Sequence, residues 1–313
     1  MSQAPSIERS ARAARPSATV SSPRIQAVKR RFVLGLNGVS GAGFAVAVIL
    51  LVSGSSGWGE VLLFAAMYAL TGIGISVGYH RFFTHRAFDA PLAVRAALGV
   101  AGSMAGHGPL VSWVATHRAH HQKSDREGDP HSPHLAGETG RQRALGLWHA
   151  HMGWLLNSEL PNSAVFARDL LGDPLARRLN RGYPLLVLAG LLAPAVLWGL
   201  VHGGWGAALQ GLIWGGLARQ FAGFHATCSI NSLGHALGRR AFDTRDRSRN
   251  NYPLALATFG EGWHNNHHAY PSSARFGLRW WQLDVGYLVV ATLALLGLAV
   301  GVKGVGAGKT PPG

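Results

Sequence analysis

Four apolar stretches constrain this chain more than any other feature. A helix rises 1.5 Å per residue, so crossing ~30 Å of hydrocarbon takes ~20 mostly apolar residues. Residues 33–53 (VLGLNGVSGAGFAVAVILLVS), 60–79 (EVLLFAAMYALTGIGISVGY), 184–202 (PLLVLAGLLAPAVLWGLVH) and 205–228 (WGAALQGLIWGGLARQFAGFHATC) meet that demand. The connectors GSSGW and GGW are short and lack Lys and Arg, whereas 80–183 and 229–285 are rich in Arg. Basic loops stay on the cytoplasmic side. The expected fold is therefore an all-α integral membrane protein, with four transmembrane helices in two hairpins below a cytoplasmic helical cap. The expected division is a disordered basic tail over 1–31, a membrane domain over 32–290, and the end of an apolar helix with a flexible tail over 291–313.

Charged residues make up only 14% of the 313 residues, against ~25% in soluble domains. The net charge of +15 is concentrated locally: residues 1–31 hold Arg9, Arg12, Arg15, Arg24, Lys29, Arg30 and Arg31 against one acid, Glu8. Such a stretch suits a solvated arm beside anionic headgroups better than a transit peptide. The single cysteine, Cys228, excludes an intrachain disulfide and a metal site built from several thiolates.

Histidine is the anomaly, with 16 residues. Nine fall into four groups: HRFFTH (His80, His85), HRAHH (His117, His120, His121), NSLGH (His235) and HNNHH (His264, His267, His268). On a helix, positions i, i+3 and i+4 share one face, so each HxxHH group is expected to converge on one region. The i, i+5 pair His80 and His85 lies about 140° apart on a regular helix. These two are expected to reach different metals, or the helix ends between them. For His107, His131, His134, His149, His151, His202 and His225 the expectation is an ordinary structural role.

Neutral imidazole is a good ligand for Fe, Zn, Cu and Ni. Nine ligands exceed the capacity of one ion, and two ions with four or five imidazoles each is the simple arithmetic. Soluble di-iron bundles use Glu and Glu-x-x-His from paired helices. Here EGWH (Glu261 to His264) is the single match, and the 14 acids do not cluster with the histidines along the chain. An all-imidazole site follows, with Glu261, Asp125 and Asp129 expected to orient ligand imidazoles from behind.

The stretch 90–114 (APLAVRAALGVAGSMAGHGPLVSWV) is long enough to cross but is expected to dip into the membrane and return. Crossing would put His80 and His85 on the opposite side from His117, His120 and His121, across ~30 Å of hydrocarbon. Arg95 and His107 add to the cost of lipid burial. Gly106, Gly108 and Pro109 offer the break. The apolar stretch 286–302 is long enough to span alone, and the residues leave its placement open.

Taken in order, GYHRFFTHRAF, THRAHHQKSDREGDPHSP, WHAHMGWLL, NSLGHALGRRAFDTRDRSRNN, GEGWHNNHHAYPSSARFG and WWQLD resemble the membrane fatty-acid desaturases of the stearoyl-CoA (Δ9) type. The resemblance covers about residues 30–290. It implies two iron ions on His80, His85, His117, His120, His121, His235, His264, His267 and His268. It places a water held by Asn231 on one metal, and a C-terminal helix on the cap. The implied reaction uses O2 and two electrons to insert one cis double bond, at Δ9, into a saturated acyl chain carried as acyl-CoA or acyl lipid. Trp113 and Phe224 are candidate tunnel walls.

The implied partners are membrane lipid and a separate electron donor such as ferredoxin or cytochrome b5, with no nucleic acid. The exposed arginines Arg126, Arg141, Arg143, Arg177, Arg178, Arg239, Arg240, Arg245 and Arg247 suit an acidic donor. The implied location is a bacterial inner membrane, with the active site on its cytoplasmic face.

Where CoA-using members carry basic residues, this chain has Asn157, Ser158 and Glu159 after GWLL, and Ala115 before the second box. Lipid-bound and carrier-protein-bound chains therefore stand beside CoA. Two other readings compete: a histidine-box hydroxylase of fatty acids or alkanes, and a membrane metal-binding or transport protein. Transport sites lie near the bilayer midplane on broken helices, whereas these histidines border helix ends on one side.

Overall fold

The computed structural model describes residues 16–157 and 159–306. Arg9, Arg12, Arg15 and Ser158 lie outside them, as do the last seven residues of the expected C-terminal tail.

Three helices are long and apolar enough to cross a membrane: Pro23–Val52, Trp58–Thr84 and Pro174–His202. Each turns bulky apolar side chains outward. Leu34 is 50% exposed, Leu62 66% and Leu185 72%, as lipid-facing positions are. The fourth expected span is one helical run from Gly204 to Ala236. It is less apolar than the others because Gln210, Arg219 and Gln220 interrupt it.

The first helix begins at Pro23, inside the stretch read as tail. Ser22 caps it by accepting the Ile25 N–H, and proline occupies the first turn, where its missing donor costs nothing. Before it, Thr19–Val20 pairs antiparallel with Leu160–Pro161. Residues 16–31 are thus ordered by pairing and capping, contrary to the expected tail.

The second span does not stay α-helical. From Gly74 to Thr84 it widens into a π-helix, a form found mostly at functional sites. Gly74 and Gly102 let the helix Leu92–Met104 lie directly against it. A Cβ on Gly74 would stand 2.2 Å from the Gly102 nitrogen.

Residues 90–114 form two helices, Leu92–Met104 and the start of Leu110–Lys123. The break falls at Gly106 (φ 73°) and Gly108 (φ 116°), followed by Pro109. Buried Arg219 ties this break to the rest of the protein. Its guanidinium donates to the carbonyls of Met104, Gly190 and Gly215, and Gln220 donates to that of Ala105. The guanidinium thereby satisfies the Met104 carbonyl, which a helix end leaves unpaired, and that of Gly190, whose helical partner would be Pro194 with no N–H.

The stretch 286–302 does not span. Its helix, Val285–Leu295, has 11 residues, half the length required. The chain after it runs back along the cap, where Val300 bridges Asp89 and Lys303 accepts from Ala274.

Candidate metal centre

The nine box histidines gather into two groups, each with its ligand atoms within 4.8 Å of one another. His80, His85, His117, His121 and His267 form one group; His120, His235, His264 and His268 form the other.

Of the two outcomes expected for His80 and His85, the structure has the second, because the helix ends between them at Thr84; the other expectations about spacing fail, and the backbone explains why. His80 and His85 do not reach different metals. The His85 N–H donates to the His80 carbonyl at 3.1 Å, the i→i+5 bond of a π-helix. Five residues then span little more than one turn, which brings the two imidazoles to one side with ring centroids 4.8 Å apart. Nor does either HxxHH group converge on one region. The i, i+4 pair His117 and His121 serves the first group while His120 turns to the second. In HNNHH the assignment reverses: His264 and His268 serve the second group, and His267 the first. The two helices face each other across the centre, and each places its i+3 imidazole on the other side.

The donor set fits metal ions. Nitrogens of neighbouring rings face each other at 3.0 Å for His80 and His267, 2.9 Å for His267 and His121, 2.9 Å for His121 and His117, and 3.0 Å for His235 and His264. Two imidazole nitrogens about 2.1 Å from one ion at right angles would stand about 3.0 Å apart. The Nε2 atoms of His85 and His120 are buried without a hydrogen-bond partner, as suits atoms whose partner is a metal ion. Burial first, and then neighbouring imidazoles, push the pKa values of His85, His117, His121, His264 and His267 well below the usual histidine range. These rings are therefore held neutral, the form that ligates metal.

Behind the imidazoles stand carboxylates. Glu261 binds His80 Nδ1, Asp129 binds His120 Nδ1 at 2.9 Å, Asp125 binds His235 Nδ1 at 2.8 Å, and Asp246 binds His268 Nδ1 at 3.0 Å. Glu261, Asp125 and Asp129, singled out in the sequence, each reach the Nδ1 of one box imidazole. Asp246 was missed because it lies 22 residues before His268 and follows no local spacing. The acids do cluster with the histidines in space, although not along the chain. Burial opposes the charge of Asp125, Asp129 and Asp246, but their histidine partners outweigh it and hold all three below the usual carboxylate range.

Arg81 is fully buried beside the first group. It pairs with Glu261 and with Asp284 at 2.8 Å, donates to the Ala274 carbonyl and lies over the Phe276 ring. No spacing rule singled it out.

Other histidines take structural roles. His134 contacts the carbonyl of His235, His151 pairs with His225, and His202 is exposed. His131 is closer to the centre than expected. It stacks on His120 with ring centroids 4.2 Å apart, and its Nδ1 is buried without a partner.

A largely apolar cavity reaches the centre. His80, His117, His264 and Glu261 line one end, and Tyr68, Arg219 and Gln220 line it deeper along the two helices. Asn231 is on its wall, and so is Trp113, stacked on His117 at 5.1 Å. Phe224 is not on the wall. Its neighbours Gly223 and Ala226 are, while its own ring turns behind them against Cys228, Met152 and His107. Gly72 makes room for Phe259, whose ring edge would meet an added Cβ at 2.1 Å.

A family model described as "Fatty acid desaturase" matches residues 56–293. The chain is 44% identical over 289 residues (92% of this chain, 90% of the relative) to the hex-5-enoyl-[acyl-carrier protein] acetylenase of Moorena producens (strain JHB). It is 37% identical over 290 residues (91% of this chain, 97% of the relative) to the sn-1 stearoyl-lipid 9-desaturase of Anabaena variabilis. A sn-1 stearoyl-lipid 9-desaturase of Synechocystis is 36% identical over 263 residues, covering 82% of this chain and 76% of that one. A match over most of the length, to proteins that modify acyl chains, agrees with a histidine centre at one end of an apolar cavity in a membrane protein, and the chain belongs to the fatty acid desaturase family.

Proposed function

We propose that this fatty acyl desaturase inserts one cis double bond, at the Δ9 position, into a saturated acyl chain at a centre of two irons. The proposed ligands are His80, His85, His117, His121 and His267 for one ion, and His120, His235, His264 and His268 for the other, where Asn231 holds a water. The observation that carries this reading is the gathering of nine imidazoles from four distant segments at one end of an apolar cavity. Iron with O2 supplies an oxidant strong enough for an unactivated methylene, and the protein supplies position and dryness. One CH2–CH2 unit, one O2, two electrons and two protons become one CH=CH unit and two waters.

The residues of the chain do the rest. The cavity between the second and fourth spans receives the acyl tail out of water. Trp113, stacked on His117, forms a wall beside the reacting carbons. Glu261, Asp125, Asp129 and Asp246 fix the tautomer and direction of four imidazoles. The carrier is a lipid or an acyl carrier protein, as in the names of the acetylenase and the stearoyl-lipid desaturases, and Ala115 and Glu159 stand where basic residues would hold CoA. Electrons come from a separate acidic ferredoxin or cytochrome b5. Seven exposed arginines on the connecting segments, Arg126, Arg141, Arg143, Arg239, Arg240, Arg245 and Arg247, and two at the start of the helix Pro174–His202, Arg177 and Arg178, complement such a donor.

Expression in a host lacking its own desaturase, followed by lipid analysis, tests the reaction. Products should be two mass units lighter, in accord with the loss of two hydrogens, with the double bond at C9. A product heavier by one oxygen would establish hydroxylation instead.

The proposed topology has four spans in two hairpins, with 90–114 dipping from the cytoplasmic face of a bacterial inner membrane. The segments carrying the boxes then share one side. Cysteines placed at exposed Gln122 and Ser272 should label from the cytoplasm, and one at exposed Ser55 from the other side. Labelling of Gln122→Cys from the side of Ser55→Cys would overturn the dip and the shared centre.

A further inference from the structure

The two histidine groups differ in what stands behind them. Three of the four rings in the group of His120, His235, His264 and His268 give their Nδ1 to a carboxylate: Asp129, Asp125 and Asp246. In the group of five, only His80 has one, Glu261. Glu261 moreover shares its charge with the buried guanidinium of Arg81. Among the described residues, no Lys or Arg side chain forms a salt bridge with Asp125, Asp129 or Asp246. Their other contacts are neutral, such as Ser132 Oγ on Asp125, the Asp125 N–H on Asp129, and Ser248 on Asp246.

We infer that the two metal positions are thermodynamically unequal, and that the four-histidine position holds its ion more tightly although it has one imidazole fewer. This rests on the two-iron reading above. A carboxylate behind a ligand imidazole raises its basicity, and removing one typically costs about 10–100-fold in metal affinity. It also places a negative charge near the cation in a buried setting, where screening by water is weak. Two such carboxylates in excess amount to roughly 10²–10⁴-fold in favour of the four-histidine position. The fifth imidazole works the other way. It replaces a neutral donor, water, with another neutral donor and brings no charge, so it offsets only part of that difference.

Asp125, Asp129 and Asp246 are thus positioning residues that set the order of metal loss. The five-histidine position empties first.

The test is a chelator titration of the full chain, purified in detergent and loaded with iron, with iron per chain measured after desalting. Iron should fall in two steps, from two to one and from one to none, separated by at least about ten-fold in chelator. Asp246→Asn should move the second step about 10–100-fold toward lower chelator, narrowing the gap or merging the two steps, while half the iron still leaves at the chelator concentration of the original first step. Glu261→Gln should move only the first.

Asp246 also anchors its own loop through Ser248 and Thr244. Ser248→Ala removes part of that anchor but keeps the carboxylate, and should leave both steps unmoved. A single step from two to none in the unsubstituted protein, or both carboxylate variants acting on its same step, overturns the inference. So does Ser248→Ala matching Asp246→Asn. Less than two irons before any chelator is added would refute the underlying two-iron reading itself.

Discussion

Replacing His235 with alanine should abolish desaturation and lower bound iron by one ion per chain. His235 belongs to no HxxHH box, yet its ring is buried, with Nε2 3.0 Å from His264 Nε2 and Nδ1 2.8 Å from Asp125. Its loss removes one of four imidazoles from the second group and takes one partner from Asp125, which keeps the Ser132 hydroxyl and the Arg247 N–H. The metal count separates this outcome from simple misfolding, which would release both ions. His202→Ala is the matched control. That ring is exposed at the end of the Pro174–His202 helix and touches Trp198. Surface changes of this kind stay within about 0.5 kcal/mol, so activity and iron content should not move. Equal activity in the two variants would remove His235 from the centre.

Replacing Arg81 with leucine should destabilise the protein by about 3–5 kcal/mol, the usual cost of stranding the partner of a buried ion pair. Arg81 is fully buried and ties four segments together through Glu261, Asp284, Ser76 and the Ala274 carbonyl. Without it, Glu261 and Asp284 remain buried with no cation beside them. Lysine is a poor substitute, because an ammonium lacks the planar fork that reaches two carboxylates at once. Thermal unfolding in detergent, done on metal-free protein so that ion binding does not mask the change, measures the loss. Adding Glu261→Gln to Arg81→Leu should recover part of it by removing one stranded charge. A loss below about 1 kcal/mol, or no recovery in the double variant, would mean that the ion cluster is not what holds these segments together.

Both predictions concern residues that differ in how visible they are from the sequence. His235 was identified as a ligand through the NSLGH text, by resemblance. Glu261 was visible through its Glu-x-x-His spacing to His264, although the ring it binds is His80, 181 residues away in the chain. Arg81 and Asp246 carry no signal of their own: an arginine beside a box and an aspartate in a basic loop read as ordinary solvated charges until folding buries them against partners far along the chain.

Phe224 shows the same limit from the other direction. Its position in an apolar helix beside the centre was legible, but which way its ring faces depends on how that helix is rotated against its neighbours. The structure turns Gly223 and Ala226 to the cavity and Phe224 away from it.

Composition and periodicity determined that this chain is helical, lies in a membrane and gathers imidazoles, because apolar length and residue type are local properties. The break at Gly106, Gly108 and Pro109 was legible for the same reason: glycine accepts positive φ, and proline stops a helix from its own position. The division of nine histidines into five and four was not. It depends on the widening of Gly74–Thr84 into a π-helix, which brings His85 round to the side of His80. It depends equally on two short helices facing each other so that each sends its i+3 ring across the centre. Helical pitch and the relative rotation of helices are settled by packing between segments, here by Gly74 and Gly102 in direct contact and by carboxylates reaching in from distant loops. Spacing along one segment carries no information about either.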